Sequence, residues 1–209
     1  MDRFSDLSEG EIRRRLVQAQ DNSKAEPWLV SPYPEGMLKS KPRRAAVLIP
    51  FLRANDSWHI LFIRRSENVE DRHSGQVAFP GGRAKSNDSG SESTALREAH
   101  EEVGLKPEDV QILGHLTPFT TITNYRVVPI VGKMPWPYSL HLQQSEVSKA
   151  FTIPLEWLAD PANHEEHPRE LPPPFGSIQV IYFKPFQGEV LWGASARILL
   201  TLLDILFQK

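Results

Sequence analysis

Residues 97–105 read Arg97-Glu98-Ala99-His100-Glu101-Glu102-Val103-Gly104-Leu105, and they end the most helix-like stretch of the chain, Ser91–Val103. On an ideal helix, at about 100° per residue, positions i, i+3 and i+4 share a face. Glu98, Glu101 and Glu102 therefore fall together, while Leu96, Ala99 and Val103 cluster on the other side. The pattern predicts a helix anchored by its apolar stripe, with three carboxylates gathered on one exposed face. Ser89-Gly90-Ser91-Glu92 fits a capping box at its start. Gly104 stands where a left-handed residue ends a helix, and Pro107 follows.

Three like charges on one face destabilise a bare helix by some tenths of a kcal/mol per close pair. A hard divalent cation removes that penalty. Mg²⁺ takes oxygen ligands, with few protein carboxylates and substrate phosphates completing its shell. Arg97 can orient one carboxylate through a bidentate pair. A generic acidic stretch is more often a solvated helix face, but the flanks here change the balance. Phe79-Pro80-Gly81-Gly82 precedes the helix and Gly104 ends it. Glycines admit close backbone approach to a ligand or metal.

Outward from this helix, Ala45–Leu52 and Trp58–Ile63 read as strands joined at Ala54-Asn55-Asp56-Ser57. Residues 64–82 read as a polar loop. Val110–Leu116 and Tyr125–Val131 are strand candidates, with Pro129 pointing to an edge or a bulge. Glu146–Phe151 reads as a short strand and Pro154–Ala159 as a short helix. Residues 160–176, rich in proline, read as a surface loop, Ile178–Phe183 as a strand and Trp192–Phe207 as a final helix. Residues 7–20 fit an amphipathic helix with Ser8 as N-cap and Leu7, Ile12, Leu16 and Val17 as its stripe. Residues 21–44 read as an extended connector. Strands and helices alternate without a regular βαβ rhythm, which predicts a mixed sheet covered by helices.

The 209 residues suit one domain with additions. Lys+Arg number 24 and Asp+Glu 26, a net charge of −2 that argues against a basic nucleic-acid binder. There is no Cys, so thiol nucleophiles, thiolate metal sites and disulfides are excluded. No stretch approaches the 18 or so apolar residues of a membrane span, and Met1–Arg15 lacks the apolar core of a secretory signal. A cytoplasmic protein is the expectation.

The helix and its loop resemble the Nudix box, G-x5-E-x7-R-E-U-x-E-E-x-G-U, with U bulky and aliphatic. Arg97, Glu98, Glu101, Glu102, Gly104 and Leu105 match, and Ala99 is small for its position. Between Gly82 and Arg97 lie 14 residues, one more than the pattern has, so its first Glu falls on Asp88 or Ser89. Leu61–Gly82, LFIRRSENVEDRHSGQVAFPGG, resembles the signature upstream of the box in coenzyme A pyrophosphatases. Ser66, Gly75 and Phe79-Pro80-Gly81-Gly82 align. Arg65 replaces a Thr, and Asp71 stands at the nominal Arg position, with Arg72 beside it as the stand-in.

The resemblance implies a Nudix fold, an α/β/α sandwich of a mixed sheet between helices, over residues 45–209, preceded by an N-terminal helix and connector over residues 1–44. It implies Mg²⁺- or Mn²⁺-dependent hydrolysis of the diphosphate of coenzyme A or its derivatives, giving 3′,5′-ADP and (acyl-)4′-phosphopantetheine. The competing expectations are a Nudix pyrophosphatase for ADP-ribose, NADH or nucleoside triphosphates, and a non-catalytic Nudix binding module. By match to the box, Glu98 and Glu102 lead as metal ligands, with Glu101 third and a carbonyl of Gly81 or Gly82 as a further donor. The catalytic base is Glu98 or a carboxylate from a later loop, best Glu146. Arg64, Arg65, Arg72 and His73 are candidates for substrate phosphates, the 3′-phosphate included. His100 is expected to be a bystander. Phe119, Tyr125 and Trp136 are candidates for stacking on adenine, with core packing the favoured alternative. The helix before Pro27 either packs on the domain or mediates a homodimer.

Overall fold

The computed structural model describes Phe4 and residues 7–22, 33–34, 37, 41–67 and 74–207. Its central strands are β1 (Arg43–Ala54) and β2 (Ser57–Arg65), an antiparallel hairpin turning at Asn55 and Asp56. Both turn residues have positive φ, 49° and 60°, the geometry that matches the twist of paired strands. The further strands of this sheet are β3 (Val77–Ala78), β4 (Gly81–Arg83), β5 (Gln111–His115), β6 (Phe119–Thr120), β7 (Tyr125–Lys133) and β8 (Val147–Pro154). The order is β3-β2-β1-β7-β5, with β4 paired to β1, β6 to β7 and β8 to β2. Among the described residues only β1 and β7 run parallel, so the sheet is mixed, as the sequence predicts.

Helices cover both faces. Side chains alternate along a strand, and β1 shows it: Ala46, Leu48 and Leu52 pack towards α2 (Ser91–Val103), Ile49 and Phe51 the other way. The α2 face is closed by Ala95, Ala99 and Val103. The opposite face is closed by α1 (Glu9–Asn22), α3 (Leu155–Leu158) and α4 (Gly193–Phe207). No helix among the described residues is long and apolar enough to cross a membrane.

The N-terminal helix packs on the rest of the chain. Leu7, Ile12 and Leu16 are buried in the same cluster as α4. The Trp58 indole N–H donates to the Leu7 carbonyl at 2.6 Å, and Gln20 Nε2 donates to the His115 carbonyl. Gly114 lies under Leu16, where a Cβ would come within 3.0 Å of its side chain. Ser8 caps the helix, its Oγ accepting from the Glu11 N–H at 3.1 Å. Val17, expected on the buried stripe, is instead 54% exposed. The contact follows i, i+4 from Ile12 to Leu16, and the next residue turns outward.

Three further expectations are corrected. The start of α2 has no side-chain cap: Gly90 holds the N-cap position, so Ser89 forms no capping box. Pro129 lies in an interior strand, between β1 and β5/β6. Its carbonyl accepts from Leu116 N where the partner strand breaks between β5 and β6, so the missing N–H interrupts no ladder. Residues 160–176 are no plain loop. They contain a 3-10 turn, Pro161–Asn163, and β9 (His164–Glu170), which pairs with β10 (Ser177–Phe183) as a separate two-stranded ribbon. β9 reads HEEHPRE and buries none of these side chains, so no apolar alternation marks it; β10 supplies the apolar side. The loop expected over 64–82 likewise holds β3 and the start of β4.

Candidate active site

α2 lies across β1 and β4 and brings Glu98 and Glu102 against Gly81 and Gly82 of β4. Gly82 pairs with Ala46, and Gly81 with Val47. A Cβ on Gly81 would stand 2.5 Å from the Ala46 carbonyl oxygen, so glycine is required there by backbone contact alone. The Gly81 N–H donates to Glu102 Oε2 at 2.8 Å. The Glu98 carboxyl fills the space on the α2 side of Gly82. The two carboxylates thus lie against consecutive glycines of β4.

The three glutamates do not share one exposed face. Glu102 is 1% exposed, Glu98 13% and Glu101 44%. The helix lies close enough to the sheet for Glu102 to be drawn under the glycines of β4. Burial pushes its pKa up to about 8, against opposing pulls from the Gly81 N–H and Arg65; the charges of Glu98 and Glu146 add to the rise. Its Oε1 has Arg65 Nη1 at 3.9 Å. Glu101 turns outward to Lys85 Nζ, at 3.0 Å, which with Arg97 holds its carboxyl below the usual range.

Arg97 organises the loop and the helix together. Its Nε and Nη2 take both oxygens of Asp88, at 2.9 and 3.0 Å, in the bidentate form. Its Nη1 bridges Glu98 Oε1 at 2.8 Å and Glu101 Oε2 at 2.9 Å, and its Nη2 also reaches the Arg83 carbonyl. Asp88 further accepts from Lys85 N and Thr94 Oγ1. The Arg97 guanidinium holds the Asp88 carboxyl well below the usual carboxylate range. Asp88, not Ser89, is therefore the acidic tie of the loop.

Glu146 ends the turn that leads into β8. Its carbonyl accepts from Ser66 N at 2.8 Å, its side chain is exposed, and its charge is felt at Glu102. Arg64 and Arg65, adjacent in β2, face opposite sides of the sheet. Arg65 goes to Glu102; Arg64 goes to Glu189 Oε2 and Glu67 Oε1, each at 3.5 Å. Arg72 and His73 lie outside the described residues. Among the aromatic candidates Phe119 is core, Tyr125 carries the Arg43 guanidinium 4.1 Å from its ring centroid, and Trp136 is exposed. His100 is exposed, away from Glu102 on its helix. Lys85 and Glu189 were not found from the sequence: neither stands in a patterned position, and only folding brings them to their partners.

The Nudix hydrolase fold and box were inferred from residues, and comparison with known proteins bears on both. A NUDIX domain matches residues 42–175. The chain belongs to the Nudix family. It is 39% identical over 169 residues to the uncharacterised Nudix hydrolase NudL of Photorhabdus laumondii, covering 80% of this chain and 87% of that one. It is 38% identical over 159 residues to NudL of Yersinia pestis, covering 75% and 76%. Among solved structures, a MutT/nudix family protein from Enterococcus faecalis superposes with a TM-score of 0.51 at 16% identity, over 93% of this chain and 71% of that one. The fold is thus that of a Nudix hydrolase.

The residues around the glycines of β4 fit a hard divalent cation. Gly82 leaves room for the Glu98 carboxyl where a Cβ would fill it, and the buried Glu102 receives one backbone N–H on one oxygen. No three His, Asp or Glu side chains among the described residues stand together as a ready metal cluster. Glu98 and Glu102 lie against the two glycines, and Glu101 is joined to Glu98 through Arg97. Mg²⁺ sites of one or two carboxylates are completed by substrate phosphates.

Proposed function

We propose that this Nudix hydrolase cleaves the diphosphate of coenzyme A or an acyl-coenzyme A, releasing 3′,5′-ADP and (acyl-)4′-phosphopantetheine. The reading rests on one observation above all: on the box helix, Glu102 accepts the Gly81 N–H and the Glu98 carboxyl stands against Gly82, the two glycines of the Phe-Pro-Gly-Gly stretch. The coenzyme A preference is supported by the Leu61–Gly82 stretch, which ends on those same glycines.

Glu98 and Glu102 would hold Mg²⁺ or Mn²⁺, with Glu101 and a carbonyl of Gly81 or Gly82 as further donors. The ion supplies charge neutralisation for diphosphate oxygens and acidifies bound water. Arg97 fixes Glu98 by charge-assisted hydrogen bonding, with Asp88 fixing Arg97 in turn. Arg65, on the α2 side of the sheet, is placed to meet a substrate phosphate. Glu146 takes the proton from the attacking water. Among the described residues its carboxylate makes no hydrogen bond or ion pair, whereas Glu98 is engaged by Arg97. A base must be free to accept a proton.

Incubation with Mg²⁺ or Mn²⁺ and a panel of coenzyme A, acyl-coenzyme A, ADP-ribose, NADH and dNTPs, with products resolved, tests this. Highest kcat/KM on a coenzyme A species is expected. Preference for ADP-ribose would overturn the substrate. Absence of turnover on every diphosphate would favour a binding module.

A further inference from the structure

Two pairs of cations stand opposite one another on neighbouring strands, and the chain treats them differently. On β2 and β8, Arg64 is opposite Lys149. Glu189, only 8% exposed, reaches both, with Lys149 Nζ at 3.0 Å and Arg64 Nη1 at 3.5 Å. On β1 and β7, Arg44 is opposite Arg126. Like charges directly opposite on adjacent strands are destabilising. Yet among the described residues neither guanidinium has a hydrogen bond or ion pair.

Both arginines line a cavity of about 220 Å³ that has no acidic residue among the described residues of its lining. Ser91 and Thr94, on the first turn of α2, form one wall, and Pro118 and Val128 another part. By strand alternation Arg44 and Arg126 share the α2 side with Ala46 and Val128.

We propose that Arg44 and Arg126 form a binding site for a phosphate monoester. Two guanidinium forks match the charge of a phosphate dianion and its oxygens. The role that Glu189 fills for Arg64 and Lys149 is here left to the ligand. Arg44 is two residues along β1 from Ala46, the register partner of Gly82. That is roughly 7 Å at strand spacing, within reach of a second phosphate on a substrate held at Glu98 and Glu102. The monoester is either that second phosphate, a case that rests on the proposed diphosphate hydrolysis, or part of a separate phosphorylated ligand.

The test uses the full chain and inorganic phosphate, titrated at constant ionic strength and followed by backbone amide shifts. Saturable shifts centred on Arg44, Ser91, Thr94 and Arg126 are expected. The double variant Arg44→Gln/Arg126→Gln should weaken them by about tenfold or more. In phosphate-free buffer of low ionic strength its Tm should not fall below that of the parent, because a repulsion is removed. Absence of saturation in the parent, or the same saturation in the variant, overturns the site. The source is read from kcat/KM on coenzyme A relative to 3′-dephospho-coenzyme A. A ratio that falls about tenfold or more in the double variant assigns the pocket to the substrate's own monoester. An unchanged ratio, with the phosphate shifts present in the parent, assigns it to a separate ligand. Should the chain cleave neither compound, the phosphate titration still reads the pocket, so failure of the hydrolase reading is distinct from failure of this one.

Discussion

Glu98 occupies the space that a side chain on Gly82 would need: a Cβ built there stands 2.7 Å from the Glu98 carboxyl carbon and from Oε2. The glycine is a steric condition on where the carboxylate sits. Gly82→Ala should therefore push Glu98 off its position and lower kcat by about 100-fold, the scale of an ångström-sized misplacement. The fold should survive, since the obstacle is a side chain. A kcat within a factor of two or so of the parent would count against the arrangement.

Glu102 links the site to pH. Burial raises its pKa from 4.5 to about 8 in the folded metal-free protein. A carboxyl raised on folding adds stability that is full below its unfolded pKa and lost as pH rises through the folded value. The metal-free protein should thus lose Tm between about pH 5 and pH 8, and Glu102→Gln should flatten that slope. Added Mg²⁺ should raise Tm more at the alkaline end, where the carboxylate form that binds it costs least. Glu102→Gln should also lower turnover by orders of magnitude with the fold retained. Parallel Tm profiles for parent and variant would refute the linkage.

Asp88 should matter in the opposite direction of pH. Its carboxyl is held low by Arg97, then by Lys85 N and Thr94 Oγ1. Its contribution is present above the unfolded pKa and is lost as pH falls through the folded one. Asp88→Asn should shrink the acid-side loss of stability, measured by thermal melts across the acid range. It should also reduce kcat by loosening Arg97, the group that positions Glu98.

Ile12 tests the docking of α1. It is fully buried against the α4 side of the sheet. Ile12→Ala should cost about 2–5 kcal/mol, read by denaturant unfolding. Val17→Ala, on the exposed side, should stay within about 0.5 kcal/mol. Equal effects would mean that the helix does not bury this face.

Much of the framework was legible because it is local. The bounds of α2, its end at Gly104 with φ 71°, and the β1–β2 hairpin follow from short-range patterns. The ribbon strand β9 was not legible, because its charged residues pair through backbone with β10. The depth of each glutamate was not legible either. Helical spacing put Glu98, Glu101 and Glu102 on one arc, but how far each lies under the glycines of β4 depends on how closely α2 approaches that strand.

By itself the sequence determined the family, the helix that carries the box and the acidic residues which that helix presents. These are properties of spacing within a dozen or so residues, and an ideal helix or turn reproduces them. The tertiary structure alone decided that Glu102 is buried while Glu101 faces Lys85, that Asp88 ties Arg97, and that, among the described residues, Arg64 meets carboxylates while Arg44 and Arg126 do not. Each depends on strands distant in sequence meeting in one register. Burial and charge compensation are set by what lies across that meeting, which no local pattern contains.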